Sequence, residues 1–192
     1  MTVWFNGNFV ESLNLDVAER GLMLGDGIFE TISVREGKSV WLDEHLTRLR
    51  SAARELGLKH DITQIRAALA VVLAQSSAPS EVLRITLTRG PTQRGFAAEG
   101  ERPSLIISLN PFDLSKLPKS VRLATSSIRR SATSPASRLK TLSYIDGIAA
   151  AREVATHADD ALMLNTDGNV ASTTIANIFL LKDSQPRVPQ FT

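Results

Sequence analysis

The chain has 192 residues, of which 43% are apolar and 22% charged, enough to bury a hydrophobic core as one domain or two small ones. It has no cysteine, which excludes disulfides, thiolate metal sites and cysteine nucleophiles. The net charge of +2 is spread along the chain, which gives no reason to expect nucleic-acid binding and suits an anionic small molecule. The longest apolar stretch, residues 67–74, is too short to cross a bilayer, so we expect a soluble protein without a membrane partner, and the lack of cysteine fits a cytoplasmic location.

Strands joined by tight turns are predicted for the first thirty residues. Short apolar runs there alternate with the turn signals Asn6-Gly7 and Gly25-Asp26-Gly27. A helix follows, with Asp43 as its expected N-cap, apolar residues at helical spacing and Gly57 as its end. The remaining elements predicted before residue 112 are a helix over 62–75 and buried strands over 82–88 and 105–109.

A stretch without periodicity, residues 113–119, is expected to link an N-terminal domain, 1–112, to a second domain, 120–192. The elements predicted in the second domain are a strand over 121–124, a polar loop over 125–137, a helix over 142–156, and strands over 161–165 and 174–181 around the Asp167-Gly168 turn. Seventy or so residues rarely form a stable core alone, so this half is expected to pack on the first domain, on a second subunit or on further sequence.

Lys140 has the most unusual context of the six lysines. A Ser/Arg-rich segment precedes it, and an Ala-rich helix without basic residues until Arg152 follows it. A lysine in such a place can point inward, and burial would keep part of its amine neutral, as a nucleophile requires. A solvated surface charge is the alternative interpretation, and spacing alone favours it.

Two pairs of basic residues could bind anions. His45 and Arg48 stand three apart on the first predicted helix and share a face that could meet a phosphate, with a surface pair as the alternative. Arg89 and Arg94 lie on one loop, where guanidinium groups could hold carboxylates, with a solvated loop tip as the alternative. The histidines are far apart and no HExxH motif occurs, so no metal site is expected, and no GxSxG elbow supports a serine hydrolase.

Six segments follow one another as recognisable blocks: WFNGNFV, AERGLMLGDGIFETI, DEHLTRLRSAARELGL, LTRGPTQRG, SRLKTLSYIDGIAAARE and LMLNTDGNVASTTIANIFLL. In this order they resemble the class IV aminotransferase family, the fold type IV pyridoxal-phosphate enzymes, over nearly the whole chain. The resemblance implies an α/β fold like that of D-amino-acid aminotransferase, with an α+β N-terminal domain and a partial β-rich second domain. It also implies pyridoxal 5'-phosphate between the domains and a homodimer.

The resemblance assigns roles to individual residues. Lys140 matches the lysine that forms a Schiff base with the cofactor and moves the substrate proton, and Arg48 matches the arginine that binds the cofactor phosphate. Asn177 lies in the block beside the cofactor, where a structural role is expected first. The expected substrate-binding residues are Thr31, Arg94 and His45.

The loop RGPTQRG, residues 89–95, is more similar to 4-amino-4-deoxychorismate lyases than to D-amino-acid transaminases, which have a histidine where this chain has Phe96. Branched-chain transaminases have a tyrosine before the glycine that is Gly25 here. The expected activity is therefore the conversion of 4-amino-4-deoxychorismate to 4-aminobenzoate and pyruvate, a step of folate biosynthesis. A D-amino-acid or branched-chain aminotransferase, and a truncated module without catalysis, stay as alternatives.

Two departures from the family pattern bear on this expectation. Ser172, 32 residues after Lys140, stands where the family has a glutamate facing the pyridine nitrogen, so it is expected to contact the cofactor. A serine keeps that nitrogen protonated poorly, which favours an elimination driven by aromatisation of its product. Family members also continue past the NIF block with a further phosphate-binding turn, so a C-terminal truncation with weakened cofactor binding is expected.

Overall fold

The computed structural model of the protein describes residues 1–100 and 102–188, and its fold is mixed α/β, as predicted. The chain divides into two compact units. The first unit contains Met1–Leu117 and the short segment Lys140–Leu142, and the second contains Pro118–Leu139 and the residues that follow Leu142. The sequence pattern placed residues 140–142 with the second half of the chain, whereas in the structure they group with the first unit.

An antiparallel six-stranded sheet forms the centre of the first unit, with the strand order β2-β1-β6-β5-β3-β4. Its strands are β1 (Thr2–Phe5), β2 (Asn8–Phe9), β3 (Gly27–Arg35), β4 (Lys38–Ser39), β5 (Ser80–Thr88) and β6 (Leu105–Pro111). The predicted turn at Asn6-Gly7 is confirmed: it joins β1 to β2 with φ of 43° and 108°, as a tight hairpin requires.

The helices of the first unit are α1 (Arg20–Leu24), α2 (Leu42–Glu55) and α3 (Ile62–Leu73), and a single 3-10 turn covers Leu114–Lys116. The predicted end of α2 at Gly57 is confirmed by its φ of 61°. The predicted N-cap was wrong, because α2 begins before Asp43 and its cap position is Trp41, which makes no side-chain cap bond. In α3 the cap is Asp61, whose carboxylate accepts from two backbone amides.

Alternation along the strands divides the sheet into a buried and a more open face. The residues of β3, β5 and β6 that form the buried face are Ile28, Ile32, Leu83, Ile85, Ile107 and Leu109, and all are at most 2% exposed. Helix α2 lies against β3 and α3 against β6, which closes the core over this face. The opposite face of β3 carries Phe29 and Thr31, whereas Glu30 lies on the buried face between Ile28 and Ile32.

The second unit is built on a three-stranded sheet with the order β7-β8-β9. Its strands are β7 (Leu123–Arg130), β8 (Asp160–Asn165) and β9 (Val170–Thr173), its helices are α4 (Pro135–Arg138) and α5 (Ile145–Val154), and a separate hairpin joins β10 (Leu180–Lys182) to β11 (Gln185–Arg187). Strands β7 and β8 are parallel, and α5 lies in the crossover between them. The core is small: Ala150, Val154, Ala161 and Met163.

Two predictions for the second unit were wrong. Residues 125–130, predicted as loop, continue β7, because the Glu153 carboxylate accepts hydrogen bonds from the Ser126 hydroxyl and the Ser127 amide and so satisfies these polar residues. The predicted strand over 174–181 is absent before Leu180. The Thr173 hydroxyl accepts hydrogen bonds from the Ile175 and Ala176 amides, which turns the chain after β9. Residues 189–192, the end of the predicted second domain, lie outside the described residues.

No helix among the described residues is both long and apolar enough to cross a membrane.

Candidate active site

The backbone around Lys140 is paired with the beginning of β3. The Lys140 carbonyl accepts a hydrogen bond from the Phe29 amide at 2.9 Å, and the Leu142 amide donates to the Gly27 carbonyl at 2.9 Å. Thr141 forms an antiparallel bridge with Ile28 between these two bonds. Gly27 allows this approach, since a Cβ there would lie 2.8 Å from the Leu142 side chain. Lys140 is therefore fixed by strand-like pairing, although it lies far from β3 in sequence.

The Phe29 ring brings two cations together on the open face of the sheet. The Lys140 Nζ lies 4.5 Å from the ring centroid, and the Arg84 Cζ lies 3.7 Å from the same centroid. Contacts of this kind are each worth roughly 0.5–2 kcal/mol, depending on exposure. Arg84 is paired with Thr31 across β5 and β3, and Thr31 is exposed. One sheet face thus carries the predicted nucleophile, a predicted substrate residue and a second cation.

His45 and Arg48, predicted to share a helix face, meet on one buried carboxylate. The Glu30 side chain is 1% exposed and accepts from Arg48 Nε at 2.6 Å and Arg48 Nη2 at 2.5 Å. The His45 Nδ1 lies 2.7 Å from the same carboxylate. These charge-assisted bonds compensate the burial of the Glu30 charge and hold both α2 side chains at β3.

The Arg48 guanidinium binds Glu30 through Nε and Nη2, and its Nη1 group stays available to donate to a ligand. Its hydrogen bonds with Glu30 raise the pKa of Arg48 further, so it is a permanent cation. Its side chain is 55% exposed, and its Nη1 group donates to no other described residue. A half-exposed guanidinium with one edge fixed and another edge open is suited to an anion such as a phosphate.

The two arginines of the 89–95 loop have different environments. The Arg89 side chain is 17% exposed and donates to the Asp26 carboxylate and to the Leu56 and Gly57 carbonyls, so the idea that it traps a substrate carboxylate was wrong. Arg94 is exposed and forms no hydrogen bond with another residue in the described part of the chain. Of this pair, only Arg94 presents its guanidinium to solvent.

Asp26, at the predicted tight turn, is a partly buried carboxylate. Burial opposes ionisation of its carboxyl, but hydrogen bonds from Arg89 and Arg20 outweigh burial and lower the pKa of Asp26 below its ordinary value. The neighbouring Gly25 has a φ of 67° and ends α1 in the left-handed conformation. A tight connection is confirmed here, but it joins helix α1 to β3 and not two strands as predicted, and the aspartate within it is an ion-pair partner of two arginines.

The two cofactor residues expected in the second unit differ in environment. Ser172 is 6% exposed on β9, where its hydroxyl donates to the Thr173 carbonyl at 2.7 Å and accepts from Arg130 Nη1 at 3.0 Å. Asn177 is exposed and lies outside any strand. Ser172 is thus a hydrogen-bonded residue beside a cation, and Arg130 is a neighbour that the sequence did not single out.

Sequence reasoning missed Glu30, Phe29 and Arg84. A signal for Glu30 was present, because it occupies an inward position between Ile28 and Ile32, and an acidic residue at such a position requires cationic partners. Arg84 occupies an outward position in a strand whose alternate residues are buried. No sequence signal connects Phe29 or Arg84 with Lys140.

Among the described residues, no cluster of three or more His, Cys, Asp or Glu side chains could hold a metal ion.

Comparison with known proteins identifies the family. Residues 27–192 match the family model described as amino-transferase class IV. The chain belongs to this family. It is 28% identical to the aminodeoxychorismate lyase of Bacillus subtilis over 189 residues, which cover 94% of this chain and 64% of that protein. It is also 28% identical to a putative branched-chain-amino-acid aminotransferase of Methanocaldococcus jannaschii, over 98% of this chain and 68% of that one.

Solved structures of class IV aminotransferases and lyases have the same fold. A putative 4-amino-4-deoxychorismate lyase from Legionella pneumophila superposes with a TM-score of 0.83 at 30% identity, covering 93% of this chain and 66% of that chain. A branched-chain aminotransferase from Thermoproteus uzoniensis, solved with norvaline, gives 0.86 at 25% identity, covering 98% and 67%. A hypothetical aminotransferase from Mycobacterium tuberculosis in its PLP-bound form gives 0.81 at 25% identity, covering 97% and 69%. The predicted fold type IV architecture is confirmed.

Proposed function

We propose that the protein is a pyridoxal-phosphate-dependent lyase that converts 4-amino-4-deoxychorismate to 4-aminobenzoate and pyruvate. The observation that carries the proposal is the 30% identity to the structure of a putative 4-amino-4-deoxychorismate lyase, against 25% for the branched-chain aminotransferase structure. The loop that presents Arg94 supports it, because Phe96 replaces the histidine expected of D-amino-acid transaminases. Following the family resemblance, we place this activity in folate biosynthesis, in the cytoplasm and in a homodimer.

Two side chains of the first unit have the chemistry that a phosphorylated aldehyde requires. Arg48 offers the open edge of a permanent cation to the phosphate, and Lys140 offers a primary amine fixed by its backbone pairing to β3. Ser172 and Asn177 are the proposed contacts from the second unit. When bound, the cofactor supplies a reactive aldehyde and a ring that withdraws electrons from the carbon bearing the substrate amine.

Lys140 is the proposed acid and base of the reaction. Its Nζ would remove the proton from the ring carbon that bears the substrate amino group, and the carbon–oxygen bond to the enolpyruvyl group would then break. The enolpyruvyl fragment leaves as pyruvate after gaining a proton, and the ring becomes aromatic. All substrate atoms appear in the two products, so neither a keto-acid acceptor nor an oxidant is consumed.

The substrate is an amino compound with two carboxylates, which matches the cations of the first unit. We assign Arg94 to a carboxylate, because its guanidinium is exposed and not engaged by another described residue. Thr31 and His45 are the other proposed substrate-binding residues. Thr31 shares a sheet face with Phe29, whereas His45 approaches from α2 through Glu30.

The environment of Ser172 suits an elimination. A hydroxyl that already accepts from Arg130 is a poor partner for a protonated pyridine nitrogen, whereas a carboxylate in its place would favour the protonated ring. A cofactor ring whose nitrogen is not protonated withdraws electrons less strongly, and this is sufficient where aromatisation of the product drives the reaction. This contact supports the lyase over a transaminase.

Two alternatives have specific support. A branched-chain aminotransferase is favoured by the TM-score of 0.86 to the Thermoproteus uzoniensis enzyme, and a D-amino-acid aminotransferase by 32% identity over 98 residues to the D-alanine aminotransferase of Bacillus licheniformis. A module without catalytic activity stays the remaining alternative, and the chain spans 64% of the length of the Bacillus subtilis lyase. The three functions differ in whether pyruvate is released, an amino group is transferred, or neither occurs.

The deciding experiment incubates the purified chain with pyridoxal phosphate and 4-amino-4-deoxychorismate and measures both products. We expect 4-aminobenzoate and pyruvate in equal amounts, and a rate at least about 10³-fold lower for Lys140→Ala. Lys59→Ala, an exposed lysine, is the matched control and should retain the parent rate. Amino transfer to an added keto acid without pyruvate release would identify a transaminase, and the absence of both reactions at saturating pyridoxal phosphate would identify a non-catalytic module.

A further inference from the structure

The loop that carries Arg94 is attached to the segment around α1. At its beginning, the Arg20 amide donates to the Gly90 carbonyl at 3.2 Å, and Glu19 forms an antiparallel bridge with Pro91. Gly90 is required there, since a Cβ would lie 1.8 Å from the Arg102 carbonyl oxygen. The start of the loop is therefore fixed by backbone contacts.

The far end of the same loop is held by one side chain. Arg20 Nη1 donates to the Gly95 carbonyl at 2.7 Å, and Arg20 Nη2 donates to the Phe96 carbonyl at 3.1 Å. These are the first two carbonyls after Arg94 in the chain. Because a guanidinium is planar, its two bonds fix both the position and the orientation of the backbone beside Arg94.

Asp26 orients the Arg20 guanidinium. Arg20 Nε donates to Asp26 Oδ2 at 2.7 Å, and the two side chains are 8% and 16% exposed. All three nitrogens of the Arg20 side chain are engaged, which leaves Arg20 poorly suited to bind a ligand itself. Arg94 has the opposite character, because it is exposed and makes no hydrogen bond to another residue that the structure describes.

We propose that Arg20, oriented by Asp26, is a positioning residue for Arg94 and so sets the affinity of the site for substrate carboxylates. This inference rests on the proposed function, in which Arg94 binds a carboxylate. A loop held in one conformation before binding loses less conformational freedom when the carboxylate binds, so the affinity is higher. The residue is not a catalytic one, since it acts only through the backbone at Gly95 and Phe96.

Limited trypsin digestion tests the loop directly and needs neither cofactor nor activity. Arg20→Lys keeps a cation beside Asp26 but cannot span the two carbonyls, and Arg20→Gln removes the cation as well. We expect cleavage after Arg94 to be about tenfold or more faster in both variants, with the remaining sites unchanged, because cleavage follows the population of open loop. Equal cleavage in the variants and the parent would contradict the inference.

Arg89→Gln is the matched control. Arg89 shares Asp26 with Arg20, but its remaining bonds go to the Leu56 and Gly57 carbonyls at the end of α2 and not to the loop backbone after Arg94. If the ion pairs with Asp26 alone held the loop, Arg89→Gln and Arg20→Lys would accelerate cleavage after Arg94 equally. Positioning by Arg20 predicts faster cleavage after Arg94 only when Arg20 is changed. Thermal unfolding of each variant shows whether it is folded, and Arg20→Lys is decisive if Arg20→Gln fails to fold.

Steady-state kinetics with 4-amino-4-deoxychorismate separate positioning from general damage. We expect Arg20→Lys and Arg94→Gln each to raise KM by about tenfold with little change in kcat, and the double variant to be no worse than Arg94→Gln, because the two residues act on one interaction. Additive effects, or a loss confined to kcat, would overturn the inference. An inactive parent would refute the proposed lyase and not the loop contact, which the trypsin experiment decides independently.

Discussion

Glu30 determines how the side chains of α2 are presented. Its buried carboxylate binds the Nε edge of Arg48 and the Nδ1 of His45, so both side chains are directed to β3 and only part of the Arg48 guanidinium stays open. An arginine at this helix position without Glu30 would be a mobile surface cation. The acid on the strand therefore turns a surface arginine into an oriented anion-binding group.

Arg48→Gln is expected to raise the dissociation constant for pyridoxal phosphate by about 10- to 100-fold, the loss that follows from removing hydrogen bonds to a charged group. Titration of the parent and the variant by the absorbance of the bound cofactor measures this change. Arg50→Gln, at an exposed position of the same helix, is the control and should bind like the parent. A dissociation constant for Arg48→Gln within twofold of the parent would exclude Arg48 as the phosphate ligand.

At the scale of elements, the helices of the first unit show how far local rules reach. The spacing of apolar residues predicted both α2 and α3, because apolar residues that recur every three or four positions lie on one face of a helix. The cap of α2 was not predicted, because Trp41 occupies that position with a φ of 53° in a turn that follows β4. An N-cap preference of an aspartate is a weak local energy, and the path of the chain into the helix overrides it.

The cap of α3 provides a test at this scale. Asp61→Ala should lower the free energy of unfolding by about 1 kcal/mol, because the amides of Thr63 and Gln64 lose their acceptor. Asp61→Asn keeps an acceptor at the same position and should stay within a few tenths of a kcal/mol of the parent. Urea unfolding of the three proteins measures the differences. Equal destabilisation by both substitutions would show that the cap bond is not what Asp61 contributes.

At the scale of the molecule, the two units have cores of different size. The first unit buries large aliphatic residues from three long strands, whereas two of the four residues of the second unit's buried cluster are alanines. Burial of apolar area is the main favourable term in folding, so the second unit has less to stabilise it.

Hydrogen exchange measured by mass spectrometry tests this difference. We expect amides of β5 to exchange at least about 100-fold more slowly than amides of β8, because central strands with large buried side chains open least often. Peptides that cover Ser80–Thr88 and Asp160–Asn165 report the two rates in a single experiment. Equal protection of the two strands would show that the units open together.

The sequence by itself determined the family, the fold class, the helices α2 and α3 and most strands, because these follow from order of motifs and from short-range periodicity. Only the tertiary structure decided which basic residues are engaged. Arg89 and Arg94 look alike in sequence, yet Asp26 binds one and leaves the other exposed. Lys140 likewise depends on pairing with β3, a contact between distant segments that no local propensity specifies.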